Sequence, residues 1–166
     1  MRNKYPAPTP DFICGHCHNF VSAAISLAGV LNRNHCPYCL WSRHLDLYTG
    51  GDRLCACKGA MRPIALTLKR TNNKYAPRQG ELMLVHHCQE CGALSINRIA
   101  ADDDNERLWE LYRRSLHSLP PALRGAAHVQ GIHLLEEDMQ SLVRARLFGQ
   151  NQAEAAPLPA DCLECA

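Results

Sequence analysis

Two patterns of apolar residues divide this chain. Up to about residue 100 no long run repeats at the helical period; Gly, Asn and Pro punctuate the chain and its apolar residues fall in short segments. Residues 64–69 and 81–88 alternate or are rich in β-favouring side chains, which predicts strands, and Asn72-Asn73 and Gln79-Gly80 would supply turn residues between them. From Asp102 the period changes. Leu108, Leu111, Tyr112 and Ser115 follow at i, i+3, i+4 and i+7, behind Asp102-Asp103-Asp104, which offer an N-cap and first-turn acids. Pro120-Pro121 would stop that helix. A second amphipathic helix is predicted from about residue 134 to 148, with Leu135, Met139, Leu142 and Leu147 among its apolar positions and Gly149 ending it. Residues 1–11, with three prolines, read as a flexible lead-in and residues 150–166 as a flexible tail.

Composition sharpens this division. The chain has 166 residues, 46% of them hydrophobic, and 10 are cysteines. No apolar run reaches the roughly 18 residues of a membrane-spanning helix, and the apolar stretch 20–31 lies inside the cysteine pattern rather than in a signal sequence. A cytoplasmic location is expected, where thiols stay reduced and paired cysteines hold metal more often than disulfides. The net charge of +2 conceals an asymmetry. Residues 1–100 carry 12 Lys/Arg against 5 Asp/Glu, giving +7, and residues 101–166 carry 6 against 11, giving −5. A basic Cys/His-rich module therefore precedes an acidic extension.

The cysteines carry the strongest chemical signal. They form Cys14-x-x-Cys17, Cys36-x-x-Cys39, Cys88-x-x-Cys91 and Cys162-x-x-Cys165, with Cys55-x-Cys57 in the middle. Two thiolates separated by two residues can face one ion from a tight turn, and two such turns complete a tetrahedron. The 18 residues between Cys17 and Cys36 suit a zinc-ribbon-like site, so Cys14, Cys17, Cys36 and Cys39 are expected to bind one Zn²⁺. Cys88 and Cys91 need two more ligands. Cys55 and Cys57 would make an all-thiolate site; His86, two residues before Cys88 and so on the same strand face, would make a Cys₃His set with Cys57; His44 is a further candidate.

Other chemistry is available to some of these residues. Cys36-Pro37-Tyr38-Cys39 spells the glutaredoxin tetrapeptide, but redox use requires a strand before it and a helix after it, and here another Cys-x-x-Cys lies upstream at zinc spacing. The pair Cys162/Cys165 supplies only two ligands, which leaves it without a role in the monomer or sharing a metal between two chains.

The stretch Arg33-Asn34-His35-Cys36-Pro37-x-Cys39-Leu40 resembles the motif that names the RNHCP domain family. The resemblance continues through Ser42-x-His44-x-Asp46, Gly51-Asp52-Arg53, Cys57-x-Gly59-x-Met61-x-Pro63-Ile64, His86-x-Cys88-x-x-Cys91-Gly92 and Asn97-Arg98-Ile99-Ala100-x-Asp102-Asp103. It covers residues 12–104 in order. It implies a bacterial, sometimes eukaryotic, zinc-ribbon-like domain and brings no activity with it. It also favours Cys57 and His86 over Cys55 for the second site, giving metal ligands Cys14, Cys17, Cys36, Cys39, Cys57, His86, Cys88 and Cys91. The expected architecture is a small β-rich zinc-ribbon-like module with two structural zinc ions at 12–104, then a helical extension at 105–149.

The remaining polar residues suggest a partner. With two zinc sites formed, residues 1–100 stay basic, and guanidinium groups on metal-braced loops suit phosphate contacts. Arg33, Arg43, Arg53, Arg62 and Arg98 are candidate contacts to structured RNA or the ribosome, and Tyr38, Trp41 and Tyr48 could stack on unpaired bases. A structural role is the alternative for Arg33, Asn34, Arg53 and Arg98, as hydrogen-bond donors to loops and to Asp46 or Asp52. A protein–protein adaptor that docks through its helices and metal knuckles is the rival function. A nuclease built on His35, His44, Asp46 and Asp52 is the third option, disfavoured because a filled four-ligand zinc site leaves no open position for water.

Overall fold

The computed structural model describes residues 9–70 and 80–149. The expected turn residues Asn72, Asn73 and Gln79, most of the lead-in, the tail and Cys162/Cys165 lie outside the described residues.

One small hairpin and one four-stranded sheet carry the described part of the first hundred residues. β1 (Phe12–Ile13) pairs antiparallel with β2 (Phe20–Val21), and a single helical turn, α1 (Ile25–Ala28), follows. β3 (Ser42–Arg43), β4 (Ala60–Lys69), β5 (Glu81–Cys88) and β6 (Leu94–Arg98) form an antiparallel sheet in that order. The register of β4 on β5 shifts between Pro63 and Ala65, a bulge at a residue that cannot donate to the ladder. β5 is buried over most of its length because both sheet faces are covered.

The helices cover one face. α2 (Asn105–Ser118) starts where the Asp104 carboxylate accepts from the Glu106 and Arg107 N–H groups at 3.0 and 3.1 Å. Its Leu108, Leu111 and Tyr112 bury against Leu66, Leu82 and Leu84 of the sheet, together with Val143 and Leu147 of α4 (Gln140–Phe148). Each such side chain contributes about 1.5–3 kcal/mol. On the other face Ile64, Ala65 and Val85 pack with Leu119, Ile132 and Leu134. The extension thus shares its core with the sheet.

Two helical expectations are corrected. Pro120-Pro121 ends α2 but also opens an unexpected helix, α3 (Pro121–Val129), because a proline at the first helical position loses no hydrogen bond. The helix expected from residue 134 begins later. Leu134 bridges to Thr67 and the Leu135 N–H donates to the Leu66 carbonyl at 3.1 Å, so that segment is held extended against β4; a 3-10 turn (Glu137–Met139) then leads into α4. No described helix is long and apolar enough to cross a membrane.

Candidate metal centres

Three Cys-x-x-Cys turns share one backbone geometry. The N–H of the first cysteine donates to the carbonyl five residues on: Cys14 to Asn19, Cys36 to Trp41, Cys88 to Ala93, at 2.8–2.9 Å. The N–H four residues on returns to the first cysteine's carbonyl: His18 to Cys14, Leu40 to Cys36, Gly92 to Cys88, at 2.8–3.1 Å. That fourth position is left-handed in each, with φ of 60°, 63° and 72°. A left-handed residue other than glycine costs about 1–2 kcal/mol, so the histidine and leucine turns need something to hold them.

These turns converge in two clusters. The sulfurs of Cys14, Cys17, Cys36 and Cys39 all lie within 4.8 Å of one another, as do the ligand atoms of His44, Cys57, Cys88 and Cys91. Closest approaches are 3.6 Å for Cys14–Cys39, Cys17–Cys36 and Cys57–Cys88, and 3.3 Å from Cys91 Sγ to His44 Nδ1. A tetrahedral ion with metal–sulfur bonds of about 2.3 Å separates its sulfurs by about 3.8 Å, so both donor sets have the spacing and the soft ligands such an ion requires. In the first cluster the His16 N–H and the Asn19 amide approach Cys14 and Cys17 sulfurs at 3.4 Å, the hydrogen bonds that orient and stabilise metal-bound thiolate.

Left to themselves the thiols do not ionise together. Burial pushes Cys36 up to about 11 and Cys39 higher still, although backbone N–H groups pull the other way. Burial also opposes ionisation of Cys17, but the Asn19 N–H and neighbouring thiols outweigh it and bring that group down to about 7. In the second cluster the Gly59 N–H favours the Cys57 thiolate, yet burial and the Cys88 and Cys91 thiols outweigh it and raise the group to about 11; Cys88 is lowered, its burial outweighed by the N–H groups of Cys91 and Glu90. A divalent cation removes this conflict.

The fourth member of the second cluster is His44, where His86 was expected. Both ring nitrogens of His86 are occupied elsewhere: Nε2 donates to the Leu40 carbonyl at 2.7 Å, and Nδ1 accepts from the Asn97 amide at 3.0 Å. Strand alternation places His86 on the Cys88 face, but its ring is taken up by the Leu40 carbonyl of the Cys36–Cys39 knuckle. His44 follows β3, the neighbour of β4, and its N–H donates to the Gly59 carbonyl at 2.9 Å, which brings its ring to Cys91. Gly59 is required there: a Cβ on it would lie 3.0 Å from Cys88 Sγ and under 3.0 Å from Glu90. Cys55 is buried, donates its N–H to the Leu45 carbonyl, and belongs to neither cluster.

The residues around the second knuckle form a polar frame. Arg33, 1% exposed, donates to Asp102 at 2.8 Å, Asp103 at 3.3 Å, the Ser22 carbonyl and the His35 carbonyl. His35 Nε2 meets the other Asp103 oxygen at 2.7 Å, which also accepts from the Ala100 N–H. The Asn34 amide donates to Asp46 at 2.8 Å, and Asp46 accepts from the Arg53 N–H. Arg33 is therefore no surface contact: it ties the first hairpin to the loop before α2. Asp102 and Asp103 serve this frame, and only Asp104 caps the helix. The frame leaves Asn34 Oδ1 and Asp102 Oδ1 buried without a partner among the described residues.

The other candidate contacts separate by exposure. Arg43 and Arg62 are exposed, and Arg98 is 59% exposed beside Glu81 at 3.3 Å. Arg53 is half-buried and bonds to Thr9. Trp41 is stacked on His16 at 4.2 Å, whereas Tyr38 and Tyr48 stand free at 54% and 81% exposure. His35, His44, Asp46 and Asp52 are held in four separate roles: the polar frame, the second cluster, the Asn34 and Arg53 contacts, and a loop cap.

Fold and clusters together define a β-rich module with two cysteine-rich sites able to hold metal, buttressed by C-terminal helices. The RNHCP domain model matches residues 9–109, and the chain belongs to the RNHCP domain family. No curated protein and no solved structure matches the chain. The matched region ends inside α2, so the rest of that helix, α3 and α4 lie outside the match.

Proposed function

We propose that each cluster holds a structural Zn²⁺ and that the module so built contacts structured RNA through the exposed arginines of its sheet. Strand register supports this reading most directly. Arg43 lies beside Ala60, two residues from Arg62; Arg62 pairs with His87, and Met83, on the same face as His87, pairs with Arg98. All three arginines thus share the face of Ala65 and Val85 and stand exposed at its ends, outside the part that Leu119, Ile132 and Leu134 cover. Seven thiolates and two dications contribute −3, which leaves residues 1–100 at +4. Zinc is suited to the sites because soft thiolates disfavour hard cations, and a closed four-ligand set is structural.

Retention of a folded RNA hairpin with an open loop, measured by anisotropy against salt, tests the reading. Three phosphate contacts predict a log–log slope of about −2, roughly a twentyfold loss between 50 and 200 mM salt. The Arg43→Ala/Arg62→Ala/Arg98→Ala variant should bind weakly and keep its zinc. Binding indifferent to salt and to these substitutions sinks the proposal. It would favour instead a protein partner docked on the exposed Ile13 and Phe20 of the first hairpin and Ile25 and Leu27 of α1.

A further inference from the structure

An open cleft of about 710 Å³ runs along β6, with Arg43, Tyr48, Lys69 and Arg98 among its lining residues. Its size is that of a small-ligand or nucleotide site. Tyr48 is 81% exposed, and its side chain has no hydrogen-bond or ring partner among the described residues. An aromatic in water needs a reason, and this one is mounted rigidly. The Asp52 carboxylate accepts from the N–H groups of Leu47, Tyr48, Thr49 and Leu54 at 2.8–3.1 Å, which fixes the loop at Tyr48's own backbone. Those N–H groups, Thr49 and Leu47 foremost, hold the carboxyl well below its usual range, so the cap stays an anion at any ordinary pH. A ring presented this way loses little freedom on stacking.

The charge around it selects the ligand. Arg43 and Lys69 are exposed and form no ion pair among the described residues. The acid that lines the cleft, Asp46, is taken up by the Asn34 amide and the Arg53 N–H. Asn34 lines the same cleft. Its amide is fixed by Asp46 and its Oδ1 is buried, so Asn34 braces the cleft wall. A duplex hides the faces of its bases, whereas an unpaired base offers one to an aromatic ring and leaves its phosphates to cations.

We infer that this cleft is a site for an unpaired nucleotide of RNA, with Tyr48 stacking on the base and Arg43, Lys69 and Arg98 holding the adjacent phosphates. The inference rests on the RNA reading above and adds to it a strand class and a specific contact. It predicts a preference for single strands that basic residues alone would not produce.

The test uses the full chain, a single-stranded RNA hexamer carrying one 2-aminopurine, and a blunt RNA duplex of matched composition. The wild-type protein is expected to quench the 2-aminopurine on binding and to favour the hexamer. Tyr48→Ala should weaken hexamer binding by roughly tenfold and abolish the quench, with duplex binding and zinc content unchanged, and Tyr48→Phe should keep both signals. Wild-type affinity and quench in Tyr48→Ala, beside weakened binding in Arg43→Ala and Arg98→Ala, would overturn the nucleotide site and leave the RNA reading standing. No binding of either RNA by the wild type at low salt would overturn both.

Discussion

The two metal clusters differ in what surrounds them. The first is all cysteine, and its apolar neighbourhood is small: Cys14, Val21 and Cys36 are buried there, with Phe12, Cys17 and Cys39 packed alongside. The strands that carry its first knuckle are two residues each, too short to hold a hairpin alone. The second cluster sits at the end of a four-stranded sheet whose faces are both packed. Its His44 is 9% exposed, while Cys91 is exposed. A metal in the first would therefore replace a core, and one in the second would clip the end of an existing one. The first site should control whether residues 12–43 fold, and the second should control how firmly one sheet end is closed.

Breaking each cluster in turn gives the largest effect. Cys36→Ser should remove the first zinc and unfold the knuckle region, a loss of at least about 4 kcal/mol. Cys91→Ser should drop the second zinc and fray the β5–β6 turn at about half that cost or less, with the sheet core intact by amide hydrogen exchange. Equal losses for the two variants would dissolve the distinction. In the wild type a chelator should strip the second ion first, through the exposed Cys91.

A histidine pair sharpens the comparison with a smaller effect. His44→Ala should lower zinc content from two to one per chain. His86→Ala should keep two and lower stability by about 1–3 kcal/mol, because it leaves the Leu40 carbonyl and the Asn97 amide without their partner. The reverse pattern of metal content would return His86 to the ligand set.

The smallest effect is a slope with pH. Burial, and the nearby His35, hold His86 down to about 3. The unfolded chain takes up a proton below about pH 6.5 that the folded protein refuses, so stability is full above that pH and falls below it, by up to about 1.4 kcal/mol per unit. Unfolding curves between pH 6.5 and 5.5, taken where zinc content stays constant, should show this slope in the wild type and a flatter one in His86→Gln. Identical slopes would remove His86 as the source.

Much of this was legible in one dimension. Cysteine spacing picked out the four members of the first cluster and Cys88 and Cys91 of the second, because a Cys-x-x-Cys turn is a local geometry that needs no partner to be recognised, while Cys57 stood in both alternatives for the rest. The leucine period marked α2, and the β-rich segments marked β4 and β5. α3 was hidden by prolines that signal an end and a beginning alike. Asp102 and Asp103 looked like helix caps because their partners lie some 70 residues away, and only the folded chain brings Arg33 and His35 to them.

By itself, then, the sequence determined the elements and the ligand pairs whose chemistry is local: knuckles, strands, helix period and a basic first half. Tertiary structure decided which histidine closes the second cluster and which arginines meet water. Those choices depend on strand neighbours and register: β3 lies beside β4 and delivers His44, while β5 turns His86 toward Leu40. A ligand's type can be read along a chain, but its position depends on everything packed around it.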